Sequence, residues 1–283
     1  MGRWKDDPFH GIVERRVAPA GMRSSDMELE AAQAALSNAG IEAGDVDLLL
    51  LQSVVPDRAL STNPAMLHRR LGLPTRCAGV ETDRTCGGFM FQLQMAAAYL
   101  HASGARYALL VQSSLLSRIL DYSNPVSTTF GDAATAVVLG RVGSEEGILS
   151  IRSYMDGHYD GMAVLAPPDD GPWYSGCGPL SLCTKDRDRL REVPLVSAAT
   201  ARDSIAAGLD EANLRRQDVS FMACHQPTSS FNAICRRASG LGDVPTIDTF
   251  RTLGAMGSCV VPINLDLGRR QGLVRAGQNV VLF

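Results

Sequence analysis

Apolar positions along this chain follow two rhythms in turn, and their alternation predicts the architecture. Ser25 opens a predicted helix, with Glu28 at the capping-box spacing from which its carboxylate can reach back to the cap. That helix runs through Glu30, Ala34 and Leu36 to Gly40, a natural left-handed stop. Asp47-Leu-Leu-Leu-Leu-Gln52 lacks the alternation of a half-exposed strand and reads as a strand covered on both faces. Asn63-Pro64 caps a second helix that ends at Gly72. A third follows Gly88, carries Phe89, Leu93, Ala97 and Leu100 on one face, and stops at Gly104. Strands are predicted at Tyr107–Gln112, Thr135–Leu139 and Gly147–Ser153. Helices alternating with buried strands mean an α/β fold.

The second half repeats the first. Ala35–Gln52 aligns without a gap on Gly208–His225, so that Leu36 meets Leu209, Ala39 meets Ala212, Asp45 meets Asp218 and Val46 meets Val219. Helix, linker and strand keep their lengths, as expected of a duplicated α/β unit. The reading places one half at 1–143 and the other at 144–283. Set against each other, the N-terminal half is expected to lack its first strand. The C-terminal half is expected to lack its last, the chain closing on the predicted strand Asn279–Phe283.

Composition narrows the function. Apolar residues make up 45% and charged residues 20%, values of a globular chain rather than a disordered one. Lys+Arg number 27 against 30 Asp+Glu, a net charge of −3 with no run of one sign, so binding to nucleic acid or membrane through bulk charge is not expected. No apolar stretch approaches a membrane-spanning length and no leader opens the chain, so the expectation is a soluble, cytoplasmic protein. Seven cysteines form no C-x-x-C pair, and neither a metal site nor a disulfide framework is expected.

One cysteine stands apart. Cys86 lies in Glu81-Thr-Asp-Arg-Thr-Cys-Gly-Gly-Phe89, between an extended segment and a helix, where the positive helix end and free N–H groups favour thiolate. Gly87 and Gly88 let the chain turn sharply and let a carbonyl approach backbone oxyanion donors. Spacing alone fits a small buried residue at a strand–helix turn equally well. His225 follows the predicted strand Val219–Cys224, at the strand end outside which ligands gather in parallel sheets. A neutral imidazole there suits a thiol nucleophile, although a lone histidine is more often structural. Phe130-Gly-Asp-Ala-Ala signals close packing. The Gly254–Pro262 turn enters a helix without a G-x-G-x-x-G or Walker pattern, so nucleotide binding has no support.

Taken together, Thr85-Cys-Gly-Gly-Phe, Tyr107–Ser113, Phe130-Gly-Asp-Ala-Ala-Thr-Ala-Val-Val-Leu and Cys224-His-Gln-Pro resemble, in that order, the ketoacyl-ACP synthase III family of the thiolase superfamily. Gly11-Ile-Val-Glu-Arg-Arg, Asp156-Gly-His-Tyr and Gly254-x-x-Gly-Ser match as well. The resemblance implies a five-layer αβαβα fold of two similar halves and a homodimer, with a heterodimer with a related ketosynthase as the other arrangement. It implies that Cys86 takes an acyl group from coenzyme A or an acyl carrier protein, that its N–H is an oxyanion donor, and that His225 is the catalytic histidine. Leu60 matches the position that reaches into the partner's acyl pocket, and Phe130-Gly-Asp132 a structural signature nearby. No bound cofactor is implied.

Three departures accompany the match. Ala255 stands where the family has a catalytic asparagine, and loss of one such donor costs about 3–4 kcal/mol of transition-state stabilisation. The family's glycine-rich loop before its last strand has no counterpart up to Phe283. The coenzyme-gripping arginines match Phe9 and Val13, leaving Trp4 as a stacking residue. Asp248, Thr252 and Ser258 are candidate substitutes for the asparagine. The expected activity is loading of an acyl thioester on Cys86 and transfer to a malonyl carrier or to a hydroxyl or amine, in fatty-acid, polyketide or other specialised-metabolite biosynthesis. The alternatives are a non-catalytic or half-catalytic subunit of a full-length partner and, on another fold, a cysteine thioesterase or hydrolase.

Overall fold

The computed structural model describes residues 11–60, 62–82, 86–143, 146–167, 174 and 180–283. Helix α1 (Ser24–Ala39) leads into β1 (Val46–Ser53), α2 (Asn63–Leu71), β2 (Ala78–Glu81), α3 (Gly88–Ser103), β3 (Tyr107–Ser114) and β4 (Ala133–Gly140). A short antiparallel pair follows, β5 (Val164–Ala166) with β6 (Ser181–Cys183). Then come α4 (Arg187–Glu211), β7 (Val219–Ala223), α5 (Phe231–Ala238), α6 (Phe250–Leu253), α7 (Val260–Arg270) and β8 (Asn279–Leu282).

The first sheet has the order β2-β1-β3-β4, parallel except for antiparallel β4. A second pairs β7 and β8 in parallel. Strand periodicity distributes their side chains between layers. Leu49, Leu51, Leu109 and Val111 face Ala32 and Leu36 of α1 and Leu67 of α2. Their neighbours Leu48, Leu50, Ala108 and Leu110 face the other way, onto Phe89, Leu93, Ala96 and Leu100 of α3. Phe221 and Ala223 of β7, with Val261 of α7, close that same cluster from the far side. Met222 and Cys224 then turn outward onto Ile205 and Leu209 of α4 and Cys235 of α5. The layers therefore run α1α2, first sheet, α3α7, β7β8, α4α5, which is the αβαβα order expected.

The glycine stops hold: Gly40, Gly72 and Gly104 end α1, α2 and α3 with φ of 66°, 69° and 72°. Three expectations change. Helix α1 begins at Ser24, and it is Asp26 whose carboxylate reaches back, accepting from the Arg23 N–H at 3.1 Å. Glu28 instead points into the protein, because the Ser53 and Ser113 hydroxyls and the Asn63 amide all donate to it there. On α3 the buried position is Ala96 rather than Ala97. The segment 147–153 is not a strand, since a strand exists only within a ladder and no described backbone pairs with it.

Candidate active site

Helix α3 is the central feature of the site. Lying between two sheets, it is apolar on opposite faces, and its N-terminus presents Cys86 just ahead of Gly87 and Gly88. The second glycine packs closely: a Cβ at Gly88 would fall 2.4 Å from the Gln52 side-chain amide at the end of β1, which would have to move aside. Cys86 is solvent-exposed as a residue, yet the surrounding protein desolvates its thiol and pushes its pKa up. Its own backbone N–H opposes that shift but contributes less. Desolvation thus opposes the thiolate that the helix end was expected to favour.

His225 is the other residue singled out for chemistry, and burial sets its protonation state. It is half-buried just beyond β7, and desolvation lowers its pKa to about 4, so the imidazole is neutral near pH 7. Its ring stands edge-on to Phe231 at 6.0 Å, its backbone N–H donates to the Phe283 carbonyl at 2.6 Å, and Nδ1 is buried with no partner among the described residues. Phe89, three residues after Cys86, and Ala223, two before His225, belong to one core cluster. The two residues singled out for chemistry therefore each lie within three residues of the same packed cluster, one ahead of α3 and the other beyond β7.

A residue that sequence reasoning passed over ties His225 to the next segment. Gln226 is buried; its Nε2 donates to the Ile247 carbonyl at 2.7 Å, and its Oε1 accepts from the Thr249 and Phe250 N–H groups at 2.9 and 3.1 Å. The available signal was a polar amide directly after a buried strand. Past α6, the chain makes the Gly254–Ala255 turn, which locks into the Phe130-Gly131 turn. The Ala255 N–H donates to the Thr129 carbonyl at 2.8 Å, and the Gly131 N–H donates to the Ala255 carbonyl at 3.1 Å. A Cβ on Gly131 would lie 2.0 Å from the Leu253 carbonyl oxygen, so glycine is the residue this contact admits. Asp132 anchors the other side, accepting from the Ser117 N–H and hydroxyl at 2.9 and 2.6 Å and from the Ala18 N–H at 2.8 Å.

Ala255 is 3% exposed, and both of its backbone polar groups are used in this lock, so the backbone does not replace an absent amide side chain. Of the three candidate substitutes, Asp248 and Thr252 are exposed, and Asp248 is engaged locally with the Phe250 N–H. Ser258 is buried, and its hydroxyl has no partner among the described residues; Ser114, at the end of β3, is in the same condition. Leu60 is 87% exposed. Trp4 and Phe9 lie outside the described residues. No cluster of three or more potential metal ligands occurs among the described residues, and no helix there is long and apolar enough to cross a membrane.

Comparison with known proteins shows the family and the fold. Residues 80–157 match the family described as 3-oxoacyl-[acyl-carrier-protein (ACP)] synthase III, and residues 209–283 match its C-terminal domain. A β-ketoacyl-[acyl-carrier-protein] synthase III of Rhodospirillum rubrum is 30% identical over 281 residues, covering 96% of this chain and 83% of the relative. The crystal structure of the synthase III from Aquifex aeolicus superposes with a TM-score of 0.83 at 22% identity, covering 96% of this chain and 83% of that one. A priming β-ketosynthase of a polyketide biosynthetic pathway superposes with a TM-score of 0.81 at 24% identity, covering 95% and 79%.

Proposed function

This chain belongs to the 3-oxoacyl-[acyl-carrier-protein] synthase III family and is an acyltransferase of the condensing type, and from that premise we propose that Cys86 carries the acyl group. The donor is a thioester of coenzyme A or of an acyl carrier protein. What supports this reading is a desolvated thiol at the start of α3 and a neutral imidazole beyond β7, each within three residues of a member of one core cluster. In the loading step His225 takes the thiol proton as Sγ attacks the thioester carbonyl. The Cys86 N–H stabilises the oxyanion, the bond to the donor sulfur breaks, and the imidazole returns the proton to the departing thiolate.

The second step delivers the acyl group to an acceptor. Decarboxylation of a malonyl unit generates an enolate, and at position 255 an alanine faces the need for a donor. We therefore favour a hydroxyl or amine acceptor of a specialised metabolite over a malonyl carrier. Ser258 supplies the remaining hydroxyl donor on this turn, and Ser258→Ala should slow transfer while leaving loading on Cys86 unchanged. The same proposal includes a homodimer in which Leu60 enters the partner's acyl pocket, consistent with its exposure in one chain. The reading places N-terminal and C-terminal halves at 1–143 and 144–283.

Intact-protein mass spectrometry after incubation with a panel of acyl-coenzyme A and acyl-carrier thioesters tests the loading step. The expected result is an acyl adduct that Cys86→Ala abolishes. A folded enzyme that takes no adduct from any donor would refute it. Chasing the loaded enzyme with malonyl carrier, alcohols and amines then identifies the acceptor.

A further inference from the structure

The face of α3 that meets the first sheet is apolar apart from Gln92, which is 0% exposed. Its Nε2 donates to the Thr82 hydroxyl at 3.0 Å, and its Oε1 accepts from the Gln112 amide. Gln112 Oε1 in turn accepts from the Thr135 hydroxyl at 2.7 Å. All four residues are buried. Burying amides costs free energy that hydrogen bonds return only in part, so aliphatic residues would serve bulk stability as well. What this chain of bonds adds is position.

Thr82 leaves β2 four residues before Cys86, and Gln92 lies on α3 six residues after it. Their bond therefore ties the residue that follows β2 to α3, one partner on each side of Cys86 in sequence. Thr82 is held as well through its N–H to the Leu51 carbonyl at 2.8 Å. Gln112 is fixed in the ladder, opposite Gln52 on β1 and Thr135 on β4. Gly88 rests on Gln52, giving the turn a second point of registration on the sheet.

We propose that Gln92, through Thr82 on one side and Gln112 on the other, is a positioning residue that sets the place and orientation of the Cys86 sulfur relative to the first sheet. The inference deepens the reading of Cys86 as acyl acceptor and rests on it for its kinetic consequence. Misplacing a reacting atom by about 1 Å costs up to about a hundredfold in rate. Cutting one bond of this bridge should cost about tenfold.

The experiment compares Thr82→Val, Gln92→Leu and their double variant with Thr82→Ser, which keeps the hydroxyl. Single-turnover acylation is followed by mass across donor concentrations, and iodoacetamide alkylation of Cys86 is timed in parallel. Melting curves establish the folded fraction. The expected result is a saturating acylation rate about tenfold lower in each single variant, no lower in the double. The donor concentration at half-saturation should change less than twofold, Thr82→Ser should restore the rate, and alkylation should change in step. A purely structural role would lower melting temperature and leave both rates of the folded enzyme unaltered; that result, or losses that multiply in the double variant, would overturn the proposal. If wild type takes no acyl group, the reading of Cys86 as acyl acceptor fails. The alkylation rates still decide whether the bridge positions the thiol, and rates equal to wild type in Thr82→Val would reject it.

Discussion

Restoring an amide at position 255 is the most direct probe of how this chain divides loading from transfer. Ala255→Asn adds three heavy atoms at a site 3% exposed, in a turn whose backbone is bonded to Thr129 and Gly131. Overpacking of this kind costs about 1–3 kcal/mol. The gain is separate from that cost: one oxyanion donor is worth about 3–4 kcal/mol in the transition state, or 10²–10³ in rate. The variant should therefore melt lower, load Cys86 at the wild-type rate, and form carbon–carbon product from a malonyl carrier about 10²–10³ faster. Loading is read by intact mass, and condensation by release of carbon dioxide from labelled malonyl carrier. A variant that folds and loads normally but condenses no faster would refute the assignment of this position. So would a wild type that already condenses as fast as the variant.

Two buried groups should leave opposite marks on stability against pH. Glu28 accepts hydrogen bonds only from neutral donors, and desolvation raises its pKa above the ordinary 4.5. The native state then holds the proton more tightly than the unfolded one, so its contribution is favourable at low pH and is lost as pH rises from 4.5 through the folded pKa. Urea midpoints of Glu28→Gln should lack that decline. For His225, lowered to about 4 from 6.5, the unfolded state binds the proton more tightly, so stability is lost as pH falls through that window, and His225→Gln should remove the loss. The same shift keeps the base neutral, so single-turnover acylation should persist down to about pH 4 rather than failing near 6.5. Gly131→Ala should yield little folded protein, because a methyl 2.0 Å from a backbone carbonyl oxygen has no rotamer to escape into; soluble expression with a wild-type melting curve would contradict this.

Much of the fold was legible because it is written in local rules. Glycines at 40, 72 and 104 stop helices by backbone conformation alone, and the uninterrupted leucines of β1 could be covered only by layers on both faces. The misreadings arose where distant residues decide. Glu28 has the spacing of a capping residue, yet its partners Ser53, Asn63 and Ser113 lie 25, 35 and 85 residues away. The segment 147–153 has strand composition, but a ladder needs a neighbour that composition does not specify.

The same distinction governs the site. Cys86 and His225 stand out in sequence because each sits at an element boundary, a setting that the structure keeps for both. The desolvation of the thiol does not, since it depends on packed surroundings that the motif leaves unspecified. Gln92, Gln112 and Gln226 were passed over because an isolated glutamine in sequence reads as surface. Their partners are a hydroxyl before the nucleophile, a neighbouring strand and the loop into α6. Each of the three ties one element to another: Gln92 and Gln112 join α3 to Thr82 after β2 and to β3, and Gln226 joins the His225 strand end to the segment leading into Ala255. On the proposed reading, Cys86 and His225 keep their roles with alanine at 255, because the glutamines that anchor the surrounding elements are separate from the groups assigned to the chemistry.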